Sequence, residues 1–157
     1  GLKTKGASMH NTVSEALDFA IAEEEGAVTF YTELAERASQ SGIRELLLSF
    51  AREEQGHRQK LLEIKAGKKM LVADEQALDL KIADYTIDIE PGSEITYQEA
   101  LIIAMKKEKA AYAMYTDLSE RAPEPDLKRT FLSLAREEAN HKLRFEIEYD
   151  NEVMHDN

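Results

Sequence analysis

Glu54 and His57 stand three residues apart, and Glu138 and His141 repeat that spacing 84 residues later. Residues i and i+3 share a face of a helix, so each motif can point a carboxylate and an imidazole at one ion. Glu24 and Glu108 lie thirty residues before the two motif glutamates and are themselves 84 apart. Four carboxylates and two imidazoles in two equivalent sets suit a pair of transition-metal ions. Imidazole plus carboxylate favours iron or manganese, and also zinc. Two divalent ions would offset the four carboxylate charges and leave both imidazoles neutral. Without cations, four carboxylates buried together would repel one another or take up protons.

A single Glu-x-x-His is a weak signal in a glutamate-rich helical chain. Glu152 and His155 form a third copy, with no glutamate thirty residues upstream and no repeat partner, and we read it as chance. The bland reading of the two phased copies is a structural layer of buried polar groups. Their common phase, each with its upstream glutamate, favours a metal site at Glu24, Glu54, His57, Glu108, Glu138 and His141.

The repeat extends beyond these residues. Segments 24–57 and 108–141 align without a gap, pairing Tyr31 with Tyr115, Arg37 with Arg121, Leu48 with Leu132 and Arg52 with Arg136. Two copies of one helical hairpin predict a closed pseudo-two-fold bundle. The first helix is expected from Thr12 to Ser39, opened by a Thr12/Glu15 capping box. The second runs to Ala66 and is closed by Gly67. Residues 67–95 are weakly patterned, with a short helix expected at Asp74–Leu80 and a turn at Pro91-Gly92-Ser93. A connector of this length can run along the bundle as a crossover. The third helix starts at Thr96 with a second capping box to Glu99. The fourth follows the break at Ala122–Pro125 and is expected to end near Asp150. The fold class is therefore all-α: an antiparallel four-helix bundle of two pseudo-symmetric hairpins. Residues 12–150 form the bundle, 1–11 a tail or expression remnant with Met9 a candidate start, and 151–157 a second tail.

Hairpin geometry places the six groups together. Residue 39, in the first turn, is midway between Glu24 and Glu54, and residue 123, in the second break, is midway between Glu108 and Glu138. Antiparallel helices joined at those points hold each pair at one height, on stripes that are otherwise apolar. Tyr31 and Tyr115 follow two turns along the same face, as hydrogen-bond partners of the carboxylates or as core tyrosines. Glu53 and Glu137 read as solvated positions rather than as groups that orient a histidine of the other hairpin. Arg37, Arg52, Arg121 and Arg136 read as surface ion-pair formers, and His10 as an exposed tail residue.

The net charge of −11 argues against a nucleic-acid partner, because phosphate binding needs a basic surface. No apolar run approaches the ~20 residues of a membrane span, and no secretory signal is visible. The absence of cysteine rules out disulfides, iron–sulfur clusters and a thiolate-bound iron centre within this chain, and fits a cytoplasmic location.

Residues 12–150 resemble the ferritin-like di-iron carboxylate proteins, and within them the rubrerythrin-like group. The matching motifs are Glu24 with Tyr31, Glu54-Gln55-Gly56-His57, Glu108 with Tyr115, and Glu138-Ala139-Asn140-His141. The resemblance implies two iron ions, with Glu54 and Glu138 bridging, and Glu24 with His57 and Glu108 with His141 as terminal ligands. It implies that the same six residues carry the catalysis. Full-length rubrerythrins add a cysteine-rich electron-delivery domain, so an external, rubredoxin-like donor is expected. They also carry an extra glutamate about one turn after the third-helix ligand, where this chain has Lys109, Ala110, Ala111 and Tyr112. Gln55 stands where haem-binding bacterioferritins have methionine, so no haem is expected. Few residues follow the fourth helix compared with cage-forming ferritins. A homodimer is expected, and the long connector would permit two chains to exchange hairpins. Three functions compete: a redox enzyme acting on peroxide or dioxygen, an iron-oxidising storage subunit, and a non-catalytic metal-stabilised module.

Overall fold

Helix α1 (Val13–Arg37) starts where the sequence supplies a reciprocal cap. The Glu15 amide donates to Thr12 Oγ1 at 3.1 Å, and the Thr12 amide donates to Glu15 Oε1 at 2.8 Å. The start of α3 (Tyr97–Arg121) repeats the device with Thr96 and Glu99, at 3.0 and 2.8 Å. Each such cap contributes about 1 kcal/mol. The computed structural model describes residues 12–67, 81–87 and 94–156, and within them α2 spans Ser41–Ala66 and α4 spans Pro125–Asp156. Pro125 suits a first helical position, having no amide hydrogen to leave unpaired. A single turn of 3-10 helix, Ile82–Tyr85, lies in the crossover.

The two hairpin turns are also alike. Ala38 and Ala122 leave α1 and α3 with nearly the same extended backbone, ψ 132° and 133°. One cation closes each turn: Arg44 donates to the Ala38 carbonyl at 3.0 Å, and Lys128 to the Ser119 carbonyl at 3.1 Å. Arg44 and Lys128 are themselves 84 apart, and both place positive charge at a helix C-terminus.

Helix α1 packs on α2 and α3 on α4, and together they form the expected four-helix bundle. Its apolar core falls into two clusters. One joins Leu17, Leu61, Leu118 and Phe131; the other joins Leu34, Phe50, Leu101 and Phe145. On every helix the break between the clusters falls at the residues singled out above: 24 on α1, 54 and 57 on α2, 108 on α3, 138 and 141 on α4.

Two helix ends differ from expectation, and the end of α2 at Gly67 agrees with it. Helix α1 stops at Arg37, two residues early. Gly67 closes α2 from right-handed backbone (φ −77°, ψ −7°), with its amide on the Glu63 carbonyl at 2.9 Å. Helix α4 passes Asp150 and continues to Asp156, so residues 151–156 are helix and not a tail. No glycine or proline interrupts that stretch, and the turn before it is held by Tyr97, which donates to Glu148 Oε2 at 2.9 Å. The helix expected at Asp74–Leu80 and the turn at Pro91–Ser93 lie outside the described residues. Among the described residues no helix is long and apolar enough to cross a membrane.

Candidate metal centre

The structure brings all six expected residues into one buried layer. Glu24, Glu54, His57, Glu108, Glu138 and His141 are each no more than 4% exposed. Both imidazoles turn Nδ1 inward. His57 Nδ1 lies 3.0 Å from Glu54, 3.3 Å from Glu24 and 3.6 Å from Glu138. His141 Nδ1 lies 2.8 Å from Glu108, 3.4 Å from Glu138 and 3.8 Å from Glu54. The two rings are nearly parallel, 15° apart, with centroids separated by 6.4 Å.

These atoms sort into two donor groups, Glu24–Glu54–His57–Glu138 and Glu54–Glu108–Glu138–His141, each with its ligand atoms within 4.8 Å of one another. Glu54 and Glu138 belong to both. The third Glu-x-x-His does not join them: Glu152 is in neither group.

Glu53 and Glu137 correct the reading of solvated positions. His57 Nε2 sits 3.1 Å from Glu137 Oε1, and His141 Nε2 sits 3.1 Å from Glu53 Oε1. Each glutamate reaches across from the other hairpin. A carboxylate can only accept here, so each Nε2 carries a hydrogen, and loss of the other ring proton would turn an Nδ1 lone pair towards the centre. We expect Glu53→Ala or Glu137→Ala to weaken metal binding at one position by about tenfold or more. Competition against a chelator measures this, with apo helicity as the check on folding; unchanged affinity would return both residues to the solvated reading.

The tyrosines divide. Tyr115 donates to Glu24 Oε2 at 2.5 Å, from the opposite hairpin. Tyr31 is fully buried, and its hydroxyl completes no hydrogen bond among the described residues. Phe50 stacks on His141 at 4.1 Å, whereas the repeat counterpart of Phe50 beside His57 is Leu134. The arginines stay out of the layer: Arg37 donates to the Ile95 carbonyl and Arg121 to the Asp117 carbonyl. Tyr85, not singled out in the sequence, reaches from the crossover into the lower core and hydrogen-bonds Asp117. An aromatic residue in a weakly patterned segment is its only signal.

Burial, then the Glu54 charge, raises the Glu24 carboxyl to about 7. Burial raises Glu54 and Glu108 to about 8, helped by Glu138 in the first case and Glu54 in the second. Glu138 is raised for the same reasons. Burial works to lower both histidines, but their carboxylate partners outweigh it: His141 rises to about 11, and His57 is also held well above its usual range.

Glu54 Oε1, Glu138 Oε1 and His57 Nδ1 are buried without a hydrogen-bond partner. Leaving such atoms unsatisfied costs about 1–3 kcal/mol each. They are the atoms that converge, and cations between them would satisfy all three, so the donor set fits a pair of metal ions. A cavity of about 30 Å³ reaches the four carboxylates from the α1/α3 side, walled by Ala27, Ala110, Ala111 and Met114. It has room for a molecule the size of water or peroxide.

The rubrerythrin family model matches residues 15–149. Two solved structures share the fold. A Thermotoga maritima protein assigned to the ferritin-like diiron-carboxylate class is 25% identical, with a TM-score of 0.75 over 87% of this chain and 93% of its own. A hypothetical protein of Pyrococcus furiosus is 26% identical, with a TM-score of 0.69 over 87% of each chain. No curated protein matches the sequence.

Proposed function

The chain belongs to the rubrerythrin family, and from that premise we propose a two-metal redox protein that reduces peroxide or dioxygen with electrons from an external donor. In this reading Glu54 and Glu138 would hold both ions, Glu24 and His57 would complete one donor set, and Glu108 and His141 the other. The observation that carries it is the sharing of Glu54 and Glu138 between both donor groups, with a buried, unpartnered oxygen on each.

Bound iron would supply the one-electron chemistry, two ions storing the two electrons that cleave an O–O bond. The protein's own groups do the rest. Glu53 and Glu137 fix the histidine tautomers. Tyr115 holds a proton at its hydroxyl against Glu24. The small cavity admits a molecule of peroxide size and keeps larger reductants out. With two protons and two electrons, peroxide becomes two waters. This chain contains no cysteine, so the electrons that reset the centre come from outside it.

Iron-loaded, pre-reduced protein should therefore oxidise rapidly with peroxide for one round, about two electrons per chain, and then stall. Adding a rubredoxin or an artificial donor of similar potential should restore turnover. His57→Ala and His141→Ala should each lose the fast round, since one ion loses its only imidazole. Stopped-flow absorbance follows the round. Equally slow peroxide consumption by wild type and both variants would reject the redox reading in favour of iron storage or a structural role.

A further inference from the structure

On α4 the face turned away from the centre carries large apolar side chains in the open. Leu132 and Ile147 are 44% exposed, Leu143 54% and Met154 75%. At 3.6 residues per turn these four and Ala139 fall within about 40° of Leu143, whereas His141 lies about 160° away. The stripe is about 33 Å long at 1.5 Å per residue. At its centre it breaks the internal repeat, although Leu132 keeps its counterpart Leu48. The α2 counterparts of Ala139, Leu143 and Ile147 are Gln55, Gln59 and Glu63, so the hairpin fold does not require an apolar face here. The described part of the crossover packs on α3 through Tyr85 and Asp117, away from it.

The stripe is also symmetric about Leu143. Ala139 and Ile147 lie four residues to either side, and Leu132 and Met154 eleven. Arg136 and Asp150 lie seven to either side on the same stripe; both are exposed and they are opposite in charge. An interface between two identical copies related by a two-fold axis must be self-complementary. Two α4 helices laid antiparallel, crossing at Leu143, meet that condition. Apolar residues face apolar residues, and Arg136 of each copy faces the partner's Asp150. The surroundings permit the approach. In a chain of net charge −11, Arg136, Lys142 and Arg144 on this face outnumber Glu146 and Asp150.

We infer that the outer face of α4 is the surface on which a second copy of this chain docks, antiparallel, with the two-fold axis at Leu143. Glu138 and His141 of both copies then sit on the two helices of one shared pair, and each α4 is braced from behind.

Sedimentation over a range of concentrations should show a wild-type dimer. Leu143→Glu places two like charges at the axis and should weaken it about 100-fold or more. The single chain should keep its helicity, because Leu143 is already half exposed. Arg136→Asp alone should weaken the dimer about tenfold, and adding Asp150→Arg should restore it. Residues 136 and 150 are too far apart on one helix to pair with each other, so rescue must act between copies. Because the chain has no cysteine, Leu143→Cys should cross-link under mild oxidation and the α2 counterpart Gln59→Cys should not. The cross-link and the charge swap decide the matter even where Leu143→Glu fails to fold. A monomer at every concentration, an assembly indifferent to Leu143→Glu, a swap without rescue, or equal cross-linking at both cysteine positions would overturn the proposal.

Discussion

Replacing Glu54 or Glu138 with alanine should empty both metal positions, whereas His57→Ala or Glu24→Ala should leave about one ion per chain. The difference follows from membership. Glu54 and Glu138 stand in both donor groups; Glu24 and His57 stand in one. Exposed, repeat-related Glu36 and Glu120 are the controls, and their alanine variants should keep the full metal content. Folding damage is separated from ligand loss by Glu54→Gln, which keeps the volume and removes the charge. Burial and the Glu138 charge oppose ionisation of Glu54 in the metal-free protein. At pH 8 the glutamine variant should therefore lose metal yet melt higher as apo protein, by roughly 2–4 °C for each kcal/mol of repulsion removed. A variant that loses metal and melts lower would show that Glu54 supports the fold and not an ion. Elemental analysis with thermal melts gives both readouts.

Local periodicity sets the part of this molecule that is legible in its sequence. The 84-residue repeat, two capping boxes and four apolar stripes interrupted at matching heights are properties of single helices. They place the six buried groups because an antiparallel hairpin converts equal distance from its turn into equal height. Glu53 and Glu137 show where that reasoning stops. Each precedes its stripe glutamate by one position, about 100° round the helix, and on an isolated helix points to water; only the other hairpin brings a histidine Nε2 to it. No one-helix pattern contains that contact. Tyr85 escapes the pattern for the same reason, since its partners are on another element. The end of α4 differs in kind: a boundary at Asp150 has no physical cause, because nothing from Asn151 to Asp156 breaks a helix. The stripe on the outer face of α4 is present in the sequence, but only exposure in the folded bundle separates it from core.

Metal-free and metal-loaded protein should respond to pH with opposite slopes. The unfolded chain releases its glutamate protons near pH 4.5. The folded apo chain keeps those of Glu24 to about pH 7 and of Glu54 and Glu108 to about pH 8. Between these values the folded state binds more protons than the unfolded one, so raising the pH favours unfolding. The stability from these raised carboxyls is full below about pH 4.5 and lost as the pH climbs to 8. His141 has the same sign in a later window: its contribution is full below 6.5 and fades towards about 11. A tenfold change in proton affinity corresponds to about 1.4 kcal/mol, and the groups are coupled, so the apo loss from pH 5 to 8 should be several kcal/mol, roughly 10 °C in Tm. Ions require deprotonated carboxylates and neutral imidazoles, so their affinity rises over the same range. The melting shift produced by Fe(II) or Mn(II) should therefore grow with pH by mass action. The general acidity of the chain also destabilises it as pH rises, and the Glu54→Gln, Glu138→Gln double variant separates the two effects. It keeps the surface charge and should flatten the apo slope in part, because Glu54 is removed and Glu24 and Glu108 lose its repulsion while their burial remains. An apo slope unchanged in that variant, or a metal-induced shift that shrinks from pH 5 to 8, would show that the buried carboxylates do not govern the stability of this bundle.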